Sequence, residues 1–219
     1  GPEQERRLWE FPNPYRTVMI EAVRHRYELV PYLYGECRRG VDTGRSLVRP
    51  MYHEHPGVEA AYEAHGQYQF GDHMVVAPVV QPRDDDGMAG VRVWLPEGDW
   101  FDVAHGSRLH VDDPGGAWFE RRYLLSEVPV FVRAGTVLPG QRDVRRLDTA
   151  SYPNLVVTAY PGVHGAYDLY EDDGAVGPRA RVRGLGELPT KFPGTNRVKG
   201  VPPTVRRSWP LPCGHSAKG

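Results

Sequence analysis

The sequence has no apolar run near the ~18 residues that a membrane-crossing helix needs, which excludes a helical membrane span. It has only two cysteines, Cys37 and Cys213, far apart and outside any motif, so neither a thiol site nor a redox compartment can be read from them. Lysine is missing from the first 190 residues: all three lysines (Lys191, Lys199, Lys218) lie near the end. Residue 1 is Gly rather than Met and no signal-peptide pattern follows, so the natural N-terminus is expected to lie upstream and targeting is not legible.

What is present is ordinary for a globular chain. The 219 residues, 40% hydrophobic and 25% charged, suit one large or two small domains. The 25 Gly and 21 Pro promise many turns. The net charge of −1 conceals an asymmetry. Residues 175–219 hold nine Lys and Arg and one acid, Glu187, a net of +8. Residues 1–174 hold 18 basic against 27 acidic residues, a net of −9. The basic tail also carries seven prolines and seven glycines without periodicity, a composition that favours disorder. It lacks any nucleic-acid-binding module, so no nucleic-acid partner is expected.

Periodicity gives the organisation. Asn13-Pro14 predicts a helix start, and helical spacing runs on to Gly40 with a kink at Pro31. SLVRPMYH (Ser46–His53) reads as a short strand and VEAAYEAH (Val58–His65) as a helix. Gly71 and Asp72 then predict the turn that leaves this helix. Met74–Val80 follows as a first strand buried on both sides, with Pro78 at an edge or bulge. From there the rhythm is period two. Val91–Pro96 alternates, Gly98-Asp99-Trp100 is a turn into a new strand, and Val128–Pro139 alternates and turns at Ala134-Gly135. Asn154–Tyr160 and Ala166–Glu171 read as a hairpin around Pro161-Gly162.

Several clusters invite chemistry. Asp84-Asp85-Asp86-Gly87 and Glu171-Asp172-Asp173-Gly174 are dense in acid, but next to Gly they read as turns capped by their own carboxylates. His53-Glu54-His55 with His65 invites a metal, since alternate strand residues share a face. The ligand set is incomplete, so no metal and no cofactor is expected. Trp94 reads as core and Trp100 as the anchor of its turn. Asp72-His73 reads as a hydrogen-bonding pair at a turn rather than an acid–base couple.

One family unites these stretches. RHRYELVPYLY (Arg24–Tyr34) resembles a helix of glycoside hydrolase family 31, the α-glucosidase and α-xylosidase family, and RRLWEF (Arg6–Phe11) resembles the segment before it. The similarity continues in the family's order through VRPMYHEHP (Val48–Pro56), QYQFGDHMVVAPV (Gln67–Val79), VWLPEGDWFD (Val93–Asp102), EVPVFVRAGTVLP (Glu127–Pro139) and LYEDDG (Leu169–Gly174).

The resemblance implies an α/β fold that becomes all-β. Residues 1–66 would be the last helix–strand–helix of a (β/α)8 TIM barrel, with VRPMY as its eighth strand. Residues 67–150 would form a proximal β-sandwich and residues 151–174 the opening hairpin of a second, distal sandwich. Residues 175–219 depart from the family, as a frameshift, intron read-through or alternative exon would make them do.

The implied activity is retaining hydrolysis of α-linked oligosaccharides or glycans. Retaining glycosidases work with two carboxyl groups about 5–5.5 Å apart. The resemblance implies that both are aspartates on earlier barrel strands, so no catalytic residue is expected in this chain. Tyr52, His53 and Glu54, at the C-terminal end of the eighth strand, are the candidates for the outer wall of the sugar pocket. A stand-alone, non-catalytic β-sandwich that binds carbohydrate or acts as a scaffold is the alternative.

Overall fold

The computed structural model describes residues 7–142, 144, 152–162, 165–172, 181–184 and 205–206. A 3-10 turn (Leu8–Glu10) is followed by α1 (Tyr15–Glu28), α2 (Val30–Thr43), β1 (Val48–Arg49), α3 (Met51–Glu54), α4 (Glu59–Glu63), β2 (Tyr68–Phe70) and β3 (Met74–Val76). Then come β4 (Met88–Leu95), β5 (Gly98–Asp102), β6 (Ser107–Val111), β7 (Ala117–Leu124), β8 (Val130–Arg133), β9 (Val137–Gln141), β10 (Leu155–Ala159), β11 (Asp168–Glu171), β12 (Arg181–Gly184) and β13 (Val205–Arg206). The chain is thus mostly β-sheet with few helices, and among the described residues the sheets do not close into a barrel.

The organising element is an antiparallel sheet of six strands in the order β1-β2-β3-β8-β5-β6. Successive residues of its central strands go to opposite faces. Val75, Trp100 and Phe131 enter one core with Met51, Ala61 and the ribbon residues Val93, Trp94 and Tyr123. Met74 and Val132 enter a second core with Tyr32, Val137, Leu138, Val157, Tyr167 and Leu169. Both faces are therefore covered: one by the β4–β7 ribbon with α3 and α4, the other by α2 and strands β9 to β11. Each fully buried Val or Phe adds about 1.5–3 kcal/mol of hydrophobic stabilisation, and that double burial makes the run MVVA apolar without alternation.

Several expectations are corrected here. The long helix breaks at Leu29 rather than kinking at Pro31, because Pro31 falls in the first turn of α2, where its missing N–H has no partner to lose. Asn13 does not cap the backbone, and its Oδ1 accepts the Thr17 hydroxyl at 3.1 Å. Gly44 closes α2 (φ 72°) in place of Gly40. The strand expected over Ser46–His53 has only two residues: Pro50 has no N–H for a ladder, and Met51, 1% exposed, is drawn into the core by a helical turn.

Gly71-Asp72 turns a hairpin between β2 and β3 instead of leaving a helix, so β3 is not the first strand of its sheet. It also stops at Val76. Pro78 follows the strand, and Val79 and Val80 are exposed. The expected hairpin of β10 with β11 does not form. β10 pairs antiparallel with β9 and parallel with β13, and β11 pairs with β12. Apart from β12 and β13, the disorder expected of residues 175–219 lies outside the described residues.

Other expectations hold. Gly87 N–H donates to Asp84 O, and the Met88 N–H donates to Asp84 Oδ1, so the first acidic cluster is a self-capped turn. Trp94 and Trp100 are buried, but Gly98-Asp99-Trp100 opens β5 instead of turning; the bend lies at Glu97, and Trp100 Nε1 donates across it to Pro96 O at 2.9 Å.

Candidate functional site

The turn after β1 carries the sequence candidates and separates them. Met51 points into the core, so the helical turn Met51–Glu54 carries Tyr52 and His53 outward and Glu54 back toward β1. Tyr52 and His53 are exposed. Glu54 is claimed by arginines: Oε1 accepts Arg49 Nε at 2.5 Å, and Oε2 accepts Arg45 Nη2. Burial pushes the Glu54 carboxyl up, but these two guanidinium groups outweigh it and hold the group below its usual range. Glu54 is thus a brace for the turn.

The metal arrangement does not assemble. Because Met51–Glu54 is helical, His53 and His55 do not share a strand face. His53 Nδ1 lies 3.4 Å from Glu54 Oε1, whereas the His55 ring packs edge-on to Trp94 at 5.4 Å and burial lowers its pKa. Among the described residues no group of three or more His, Cys, Asp or Glu is placed to hold a metal ion. In the second acidic cluster Asp172 accepts the Tyr34 hydroxyl at 2.6 Å, while Asp173 and Gly174 lie outside the described residues.

Asp72 does not pair with His73 as expected. Its Oδ2 accepts Arg39 Nη1 at 2.8 Å, its Oδ1 accepts Arg49 Nη2 at 2.9 Å, and Arg45 Nη1 stands 3.7 Å away. Burial raises the Asp72 pKa, but the three arginines prevail and the carboxyl lies below its usual 3.8. Burial holds His73 toward its neutral form. The result is a chain of alternating charge, Glu36–Arg39–Asp72–Arg49–Glu54, with Arg45 spanning Asp72 and Glu54. It links α2, the β2–β3 turn, β1 and α3. Sequence reading missed these arginines because their partners stand up to 33 residues away.

Glu36 is the least compensated member. It is 4% exposed, its Oε1 accepts no hydrogen bond, and Arg39 Nη1 approaches only to 3.6 Å. Burial raises its pKa above the usual 4.5, against the pull of Arg39. A raised folded-state pKa gives stability that is complete below about pH 4.5 and declines as pH rises through the folded value. Asp72 and Glu54 work the other way: their contribution is present above the ordinary carboxylate pKa and is lost in acid. Glu36→Gln is therefore expected to raise the melting temperature at pH 8 and to gain little or nothing at pH 4. Thermal melts at both values check this, and an equal change at the two pH values contradicts it.

Two further residues were not singled out in the sequence. Tyr62 stacks on Tyr52 with ring centroids 5.1 Å apart and planes 10° from parallel. A signal for it exists: Val58, Ala61 and Ala64 face inward at helical spacing, which leaves Tyr62 outside. Gln67 bonds the backbone of Trp94 twice, Nε2 donating to its carbonyl at 2.6 Å and Oε1 accepting its N–H at 2.7 Å.

Comparison with known proteins places this geometry. Residues 44–138 match the glycosyl hydrolase family 31 C-terminal domain. An α-xylosidase of Saccharolobus solfataricus is 31% identical over 169 residues, covering 76% of this chain and 22% of that protein. Human neutral α-glucosidase AB is 29% identical, over 77% of this chain and 18% of its own length. Among solved structures, a family 31 dextranase of Flavobacterium johnsoniae in complex with isomaltotriose has a TM-score of 0.66 at 28% identity, covering 77% of this chain and 20% of that one. The chain thus spans about a fifth of the length of the relatives it matches. Through residues 44–138 the chain belongs to glycosyl hydrolase family 31, of which they are the C-terminal domain.

Proposed function

We propose that this chain closes and supports the catalytic barrel of a retaining α-glycosidase acting on α-linked glucosides or xylosides, without carrying the catalytic carboxylates itself. In this reading residues 1–66 are the final helix–strand–helix of the (β/α)8 barrel, residues 67–150 the proximal sandwich and residues 151–174 the start of a distal one. Residues 175–219 are a tail foreign to the family. The observation that carries the proposal is the match to relatives named for α-xylosidase and α-glucosidase activity over three quarters of this chain but only about a fifth of theirs.

Tyr52 and His53 line the outer wall of the sugar pocket, and Glu54 holds their turn in place through Arg45 and Arg49. A barrel active site draws its acids from several strand ends, and this chain supplies one. The charge chain from Glu36 to Glu54 fastens that strand end to the sandwich, which gives the C-terminal domain its role: it fixes the last wall of the pocket.

The test is an assay of the purified 219-residue chain on p-nitrophenyl α-glucoside and α-xyloside. No turnover above buffer is expected. Robust turnover abolished by a substitution within this chain would overturn the proposal.

A further inference from the structure

We infer that the stacked rings of Tyr52 and Tyr62 form a platform for one pyranose ring of an α-linked gluco-oligosaccharide, Tyr52 offering the contact face and Tyr62 bracing it from behind. The inference rests on the glycosidase reading above and extends it to a residue outside the β1–α3 turn.

Two short helices build the platform. Met51 and Ala61, 1% and 2% exposed, anchor α3 and α4 in the same core, so the outward positions next to them, Tyr52 and Tyr62, emerge side by side. The Tyr62 hydroxyl donates to Pro56 O at 3.1 Å, which fixes that ring against the loop joining the two helices. The rings lie 10° from parallel at 5.1 Å, yet Tyr52 and Tyr62 remain 46% and 43% exposed. Each ring covers part of one face of the other, and nearly half of each residue stays exposed. Such a pair differs from a core aromatic contact, because two large apolar surfaces stay in water although both side chains are already held in place. The entropy of ordering them is spent in folding rather than in binding.

The chemistry this surface suits is that of a sugar ring. The axial C–H face of a glucopyranose is apolar and flat, and it lies well on a rigid aromatic face, while its rim of hydroxyls needs polar partners. His53 supplies one next to Tyr52. Its Nδ1 lies 3.4 Å from Glu54 Oε1 and its side chain is 56% exposed, so the ring has a second nitrogen to donate to or accept from a hydroxyl. Glu54 itself is held by Arg45 and Arg49, so a neutral sugar rather than a cation is the ligand class.

The experiment titrates isomaltotriose into the full chain carrying 13C-labelled tyrosine and follows the ring resonances. Saturable shifts confined to Tyr52 and Tyr62 are expected at millimolar sugar. Tyr52→Ala removes them. Tyr62→Ala weakens the affinity seen at Tyr52 by roughly 2- to 10-fold, the worth of one aromatic pair, and Tyr62→Phe, which keeps the ring, restores it. A role in folding alone would give no sugar-dependent shift and no rescue by Phe. Absence of saturable shifts in the parent chain, or a Tyr62→Phe variant as weak as Tyr62→Ala, overturns the inference. If Tyr62→Ala fails to fold, the parent and Tyr62→Phe titrations still decide it. The aryl-glycoside assay is independent: turnover there defeats the glycosidase-support reading, whereas absent ring shifts in an inactive chain defeat this inference alone.

Discussion

Replacing Gly71 by alanine is expected to lower stability by about 4 kcal/mol or more. Two costs combine. Gly71 sits at φ 63°, where a residue with a Cβ is strained by about 1–2 kcal/mol. The added Cβ would also overlap the Tyr32 hydroxyl and stand 2.8 Å from Tyr32 Cζ and 2.9 Å from Glu36 Oε2. Tyr32 is 0% exposed and its hydroxyl donates to Phe70 O at 3.1 Å, so the ring has nowhere to go without dragging the second core with it. A second variant separates the costs. Tyr32→Phe in the Gly71→Ala background removes the hydroxyl collision and leaves the backbone strain, so partial recovery is expected. Urea denaturation midpoints measure both, and a Gly71→Ala midpoint indistinguishable from the parent would refute the account.

Arg49→Met should cost about 2–4 kcal/mol. The Arg49 side chain is 4% exposed and donates to four acceptors: Ser46 O, Gly71 O, Glu54 Oε1 and Asp72 Oδ1. Methionine keeps the volume but leaves two carboxylates and two carbonyls short of a donor. The loss stays below that of a fully buried pair because Arg39 and Arg45 still neutralise Asp72 and Glu54. Arg49→Lys should recover little, because one ammonium cannot reproduce the guanidinium fork. The charge chain also predicts where the damage shows: protection of the β2–β3 turn and of α3 from hydrogen exchange falls first, while the β4–β7 ribbon stays protected. Equal loss in the ribbon would argue that Arg49 serves only global stability.

Much of the sheet was legible because it depends on local pattern. The self-capped turn at Asp84–Gly87, the turn at Ala134-Gly135 and the strands flanking Gly98 all follow from Gly and Asp placed among alternating apolar residues. Strand partners were not legible. The period-two signal of Leu155–Ala159 and of Asp168–Glu171 is real, but it says nothing about which edge each strand joins, and both found neighbours other than each other. The candidate site behaved similarly. Tyr52 and His53 were expected at the C-terminal end of a strand, and the helical turn that Met51 makes into the core carries them outward instead. Glu54 was a candidate for the pocket wall, and its arginine partners were not legible because they share no periodic relation with it. The resemblance supplied the order of the blocks, and the charge chain that ties them came only from their meeting in space.

Gln67 closes the account of the ribbon. In the antiparallel β4–β7 pair, Trp94 turns its N–H and C=O away from β7, and the Gln67 carboxamide meets both, as a peptide group of an adjoining strand would. A single side chain thereby plays the part of a missing neighbour strand near the C-terminal end of β4, at a residue with no exposed surface. A buried N–H or C=O left without a partner costs about 1–3 kcal/mol. Gln67 meets both groups with one side chain, so the buried end of β4 is satisfied without a further strand.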